Sequence, residues 1–218
     1  MPGDLPSSVL LSLRGRYAVI TLNRPEQLNR LSRAALGELA GVLAGLCGGG
    51  RLCALVVAGA GGVFSAGADL NEVAALDPAA AYDFSRRGQE VFGALGAAAP
   101  VVIAAIDGHC LGGGLDLALA CDLRYATPRA TFGHPGARRG IITGWGGTQR
   151  LPRLIGRGPA LRLLLTGERV DAGEALRLGL IDLVDADAAG RAVAFAARLA
   201  SEYDPALLAA LKASAGAG

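Results

Sequence analysis

Short apolar runs that end in glycine recur along this chain, and each gives way to a segment with helical spacing. "CALVVAG" at 53–59 and the "VVIAAI" that opens "VVIAAIDG" at 101–108 are apolar runs of strand length, as expected for strands buried on both faces. Helical patterns follow each, at 79–98, which Pro100 closes, and in "GGLDLALACD" at 113–122. Upstream, "VLLSLRGRYAVITLNRP" reads as a hairpin turning at Arg14-Gly15-Arg16 and ended by Pro25. Residues 32–46 place Leu36, Leu39, Ala40 and Leu43 on one helical face, with Ser32 at the N-cap. Downstream, "ATFGHP" predicts a short strand entering a loop, and "GGTQRLPRLIG" a helical turn or two. Helices are expected at 171–178, 187–201 and 205–213, with "LGLIDLVD" a strand between the first two and a frayed "KASAGAG" tail. Strand and helix alternate throughout, so the class is α/β.

Composition excludes several functions. The net charge is +2 and no aromatic-plus-basic stacking motif occurs, so no nucleic-acid partner is expected. Of 21 basic residues only Lys212 is lysine, a bias that carries no functional signal. The most apolar windows are too short and too broken by Gly or Pro to span a bilayer, and "MPGDLPSSVL" lacks the pattern of a signal peptide. Cys47, Cys53, Cys110 and Cys121 form no C-x-x-C pair and sit in or beside apolar runs. Reduced thiols in a cytoplasmic protein are the expectation.

Two glycine-bearing loops carry the chemistry. "VFSAGADL" at 63–70 and "LGGGLDL" at 111–117 can each leave backbone N–H groups pointing one way. Facing each other, they would form a two-donor site for a carbonyl oxygen that gains charge. Alternatively, each is only a tight strand-to-helix connection. Other motifs are missing: there is no phosphate loop, no G-x-G-x-x-G between strand and helix, no G-x-S-x-G elbow around Ser65, and no metal-ligand spacing for His109 and His134.

"ITLNRPEQLNRLS", "VFSAGADL", "HCLGGGLDLALACDLRYA", "TFGHPGARRGIITGWGGTQRLPRLIG" and "LLTGERVDAGEALRLGLIDLV" occur in the order seen in the enoyl-CoA hydratase/isomerase (crotonase) superfamily, which the chain resembles over roughly residues 8–213. The resemblance implies a spiral of ββα units, here a core over 1–186 and a short C-terminal helical segment over 187–218. It implies an acyl-CoA thioester as substrate, no separate cofactor and no metal, and assembly as a homotrimer or dimer of trimers. Family members commonly run longer at the C-terminus, where added helices cover the acyl pocket. It assigns the oxyanion-hole amides to Ala68 and Gly113, with Ala66, Gly67, Asp69, Leu70, His109, Gly112, Gly136 and Trp145 about the substrate. Trp145 would plug the core or line an acyl pocket. Asp69 and Asn71 also read as caps of a following helix. Arg24 and Arg30 would meet CoA phosphates.

The catalytic positions depart from the family's pattern. Hydratases of the family carry Glu where this chain has Asp116, and a second Glu where it has Gly136. Asp is shorter by one methylene, about 1.5 Å, and a displacement near 1 Å can cost about 10²-fold in rate. The standard two-carboxylate hydration therefore lacks its second acid. Three readings stay open: Asp116 as sole acid–base; His134 or His109 as a substitute base; or space at Gly136 for a bulkier or carboxylated substrate or an anion. A non-catalytic acyl-CoA binder is the alternative to an enzyme.

Overall fold

The computed structural model describes residues 7–216 apart from 48 and 49. The N-terminal residues 1–6, the side chain of Cys47 and tail residues 217 and 218 lie outside the described residues.

The chain opens with the expected hairpin, β1 (Val9–Arg14) antiparallel to β2 (Tyr17–Leu22). Helix α1 (Arg33–Cys47) follows, and the Ser32 hydroxyl accepts from Ala35 N–H at 3.1 Å as its cap. Next come β3 (Ala54–Gly59), the short α2 (Leu70–Ala74) and the long α3 (Pro78–Gly96). From here the path alternates between two sheets. β4 (Val101–Ile106) lies in the large sheet and β5 (His109–Leu111) in the small one; α4 (Gly113–Leu119) then returns the chain to β6 (Leu123–Ala126) in the large sheet, and β7 (Thr131–Gly133) repeats the step across. After α5 (Gly147–Ile155) and α6 (Arg157–Thr166), β8 (Arg169–Asp171) closes the small sheet. Helix α7 (Ala172–Arg177), β9 (Leu183–Val184), α8 (Ala188–Glu202) and α9 (Pro205–Ala215) complete the described chain. The large sheet runs β1-β2-β3-β4-β6-β9, parallel from β2 onward, and the small one β5-β7-β8. This stacking of strand, strand and helix is the expected spiral.

The unbroken apolar runs have a physical cause. Successive side chains of a strand point to opposite faces, and the large sheet is covered on both faces at β3 and β4. Leu55 and Val57 of β3 join the main core with Leu36 and Leu39 of α1 and Phe92 of α3. Ala54 and Val56 face the other way, against Ala192, Ala196 and Leu199, the helical stripe of α8.

Two expectations are corrected and one helix is added. The segment 178–185 is strand only at Leu183–Val184, because Leu180 and Ile181 leave the sheet direction to pack in the core. Helix α6 has no counterpart among the sequence expectations; its Pro159 stands in the first turn, where a missing N–H costs the helix no hydrogen bond. The "KASAGAG" tail is helical through Ala215, with Lys212 Nζ 2.7 Å from Asp122 Oδ2.

Candidate active site

The loop before α2 uses nearly all of its backbone donors. Ser65 N–H donates to His109 O (2.8 Å), Ala66 N–H to Leu28 O (2.9 Å), Gly67 N–H to Ser65 Oγ (3.1 Å) and Asp69 N–H to Leu31 O (3.4 Å). Among the described residues, only the Ala68 N–H in this run has no acceptor. Buried Ser65 fixes the turn, since its hydroxyl also donates to Asn29 O at 2.8 Å.

The facing strand β5 ends in the same way. Leu111 N–H donates to Ser65 O (3.0 Å) and Gly112 N–H to Gly133 O (2.9 Å), while the Gly113 N–H, first in α4, has no acceptor among the described residues. The two free amides are neighbours. A methyl group built on Gly67 would sit 2.8 Å from Gly113 N, and one on Gly113 would sit 3.3 Å from Ala68 N. Gly67 has φ +95°, where a side chain is strained, and that methyl would also meet Leu111 O at 2.7 Å.

One turn into α4 stands Asp116, completely buried in a helix whose other residues are Gly, Leu and Ala. The segment Thr143–Gly147 closes over it. The Thr143 hydroxyl donates to Asp116 Oδ2, and a side chain on Gly147 would overlap Asp116 Oδ1. His134, 2 % exposed, brings Nε2 to 3.3 Å from Oδ1, close but not aligned as a hydrogen bond. Asp116 Oδ1 and both His134 ring nitrogens are without a hydrogen-bond partner among the described residues. Burial pushes the Asp116 carboxyl up to about 7, against the pull of Thr143 and the Arg150 charge. Burial also pushes His134 down to about 4. Both shifts favour the uncharged form.

Trp145 lies between Thr143 and Gly147 and is 4 % exposed. Its ring packs against Gly113 and Gly88 so closely that a side chain on either glycine would overlap it. Its Nε1–H donates to Phe84 O at 3.2 Å, and Phe84 and Phe92 meet it edge-on at 5.1 and 5.6 Å.

The structure redistributes the remaining candidates. His109 Nδ1 is 3.0 Å from Thr131 Oγ1, a contact between paired strands. Asp69 accepts from Asn71 N–H at 2.9 Å as the cap of α2 and meets Arg30 at 3.3 Å, while Leu70 starts that helix at the surface. Arg24 Nε–H donates to Ser8 Oγ at 3.2 Å. The expectation of open space at Gly136 is corrected: a methyl there would lie 2.6 Å from the Ile141 carbonyl, which the loop brings back over it. Thr143 and Gly147 were not foreseen. The only sequence signal was the glycine pair in "TGWGGTQ", which permits close backbone approach. No group of three His, Cys, Asp or Glu suited to a metal occurs among the described residues.

Comparison with known proteins gives this geometry its family. A model described as enoyl-CoA hydratase/isomerase matches residues 14–217. The chain is 40% identical over 179 residues to a short-chain-enoyl-CoA hydratase of Clostridium acetobutylicum, covering 82% of this chain and 69% of that one. It is 39% identical over 178 residues to a crotonyl-CoA hydratase of Syntrophomonas wolfei, covering 81% and 68%. Among solved structures, an enoyl-CoA hydratase from Bacillus anthracis superposes with a TM-score of 0.92 at 35% identity, over 96% of this chain and 83% of that one. The chain belongs to the enoyl-CoA hydratase/isomerase family, and the resemblance read from its sequence holds. No helix among the described residues is long and apolar enough to cross a membrane.

Proposed function

We propose that this protein binds an acyl-CoA thioester with its carbonyl oxygen between the Ala68 and Gly113 amides, and that Asp116 moves a proton at the carbon beside that carbonyl. The observation that carries this reading is the pair of adjacent, unspent N–H groups one helical turn from a buried acid. Two amide donors at about 3 Å stabilise an oxygen that becomes negative as the α-proton leaves. The ionised Asp116 takes that proton on Oδ1, which has no hydrogen-bond partner of good geometry among the described residues, and returns it at the end of the cycle. A carboxyl near pH 7 suits both halves of that task. Ala66, Gly67 and Gly112 shape the cradle. Buried and uncharged, His134 acts on Asp116. Coenzyme A enters as part of the substrate, with no separate cofactor.

The named relatives are hydratases. This chain carries Gly136 under the Ile141 carbonyl where the family places a second acid, so proton transfer with one carboxylate is proposed in place of two-carboxylate hydration. Exposed Leu10, Leu11, Leu13 and Leu165 offer apolar surface that a homotrimer or dimer of trimers would cover. The free buried thiols of Cys53, Cys110 and Cys121 support a cytoplasmic setting.

The test is exchange of the α-protons of butyryl-CoA in heavy water, run beside hydration of crotonyl-CoA. Exchange with little hydration is expected. Hydration at an ordinary enzyme rate, about 1–10³ per second, would overturn the single-acid mechanism. Tight binding without exchange or hydration would favour the non-catalytic binder.

A further inference from the structure

Resting on the reading of Asp116 as the acid–base, we infer that Arg150 is a positioning residue for that acid: it fixes the Thr143–Gly147 strap against the carboxyl and supplies a permanent positive charge near it. The Thr143 hydroxyl donates to Asp116 Oδ2. Where that hydroxyl sits depends on the path of the residues after it, and the next two carbonyls are both tied down. Gly144 O accepts from Ser85 Oγ at 3.0 Å and from Gln89 Nε2 at 2.7 Å, both on α3. Trp145 O accepts from Arg150 Nη1 at 3.0 Å. The same guanidinium nitrogen lies against Gly146, where any side chain would overlap it and where a φ of +107° calls for glycine. The next residue, Gly147, is packed against Asp116 Oδ1 just as closely. Arg150 therefore grips the strap between its two contacts with the acid.

Charge enters through the same residue. The polar and ionisable groups about the carboxyl are Cys110 of β5, His134 after β7, Thr143 with the Trp145 and Gly147 amides in the strap, and Arg150 of α5. Burial pushes the Cys110 thiol up and His134 down to about 4, so both are uncharged near neutral pH. Of these groups only the guanidinium carries a charge there. Burial raises Asp116 to about 7, and the Thr143 hydroxyl, the Arg150 charge and the two amides pull it back towards the ionised form. Exposed Arg153, one turn further along α5, lies in the same surface depression as Arg150 and stays in every variant below.

The measurement is a carbon-13 titration of the aspartate carboxyls in the full-length protein, with Asp116→Asn to assign the resonance. It is run beside the pH profile of α-proton exchange in butyryl-CoA. Arg150→Gln should raise the Asp116 midpoint by about 0.5–1 pH, so that exchange falls about three- to ten-fold at pH 6 and less than about two-fold at pH 9. Arg150→Met fills the same space without charge; it covers the case in which the glutamine variant does not fold, and the same shift is expected. Arg150→Lys keeps a charge and should reverse most of the shift. An unchanged midpoint in a folded neutral variant overturns the inference, as does a lysine variant that behaves like the glutamine one. Exchange lowered by the same factor at pH 6 and pH 9 would reduce Arg150 to packing and overturn it as well. A parent with no exchange would count against the proposed reaction, while the carboxyl titration still decides the role of Arg150.

Discussion

Nε2 of His134 lies 3.3 Å from Oδ1 of Asp116, and burial drives the two groups' proton affinities in opposite directions. Unfolded, near pH 5 to 6, the pair would hold one proton, on the histidine. Folded, it again holds one, on the carboxyl. The proton count is the same in both states, so between about pH 4 and 6.5 the pair contributes little pH dependence to stability.

Single substitutions should expose the two halves. In Asp116→Asn the buried His134 remains, with its affinity lowered from 6.5 to about 4. The unfolded state then binds more protons in that window, so stability should fall as the pH drops from 6.5 towards 4. In His134→Gln, Asp116 remains, raised from 3.8 to about 7. Now the folded state binds more protons, so stability should fall as the pH rises from about 4 to 7. Each slope is at most about 1.4 kcal/mol per pH unit. Urea titrations at several pH values give the slopes, and parallel curves for the two variants would contradict the assignment.

Asp116→Asn should abolish α-proton exchange while leaving acyl-CoA affinity within a few-fold of the parent, because the proposed donors are backbone amides. In the parent, exchange should rise as the pH passes about 7, since the carboxylate is the active form. A rate profile flat from pH 5 to 9, or exchange surviving in the variant, would remove Asp116 from the mechanism.

Gly67→Ala tests the cradle itself. The new methyl would lie 2.7 Å from Leu111 O and 2.8 Å from Gly113 N at a φ of +95°. Strain of about 1–3 kcal/mol is expected, together with loss of thioester binding of ten-fold or more. Chemical denaturation and calorimetry separate the two effects. Normal affinity in a destabilised protein would place the thioester elsewhere.

The sequence was most legible where a residue stood out against its own segment. Asp116 in an otherwise apolar helix marked the candidate site, and the runs at 53–59 and 101–106 marked strands covered on both faces. The strands His109–Leu111 and Leu123–Ala126 left no pattern of their own, because three or four residues cannot establish a period, whereas the equally short Thr131–Gly133 was marked by the Gly and Pro of the loop after it. Contacts between distant residues were also hidden. Nothing local to Thr143 signals that its hydroxyl meets Asp116, and nothing local to Gly136 signals that Ile141 folds back over it.

That last contact governs any attempt to install hydratase chemistry by restoring the family's two acids. The simple expectation is that Gly136→Glu with Asp116→Glu gains crotonyl-CoA hydration beyond either change alone, since groups acting as a unit are non-additive. The structure opposes both steps. A Cβ at 136 would stand 2.6 Å from the Ile141 carbonyl, whose residue donates its own N–H to Gly136 O at 3.0 Å. Backbone would have to move, and that turn would lose its hydrogen bond. At 116, the carboxyl is already enclosed by Thr143, His134 and Gly147, and one more methylene overfills a packed space. Each single variant should lose about 1–3 kcal/mol of stability and remain a poor hydratase. The double variant should hydrate only if the 136–141 loop relaxes. Adding Ile141→Gly, which removes the side chain and loosens the returning backbone, should therefore raise hydration by the double variant at least ten-fold. The readout is crotonyl-CoA hydration beside the denaturation midpoint for all variants. A fully active double variant with an unchanged midpoint would mean that Gly136 is not confined as described.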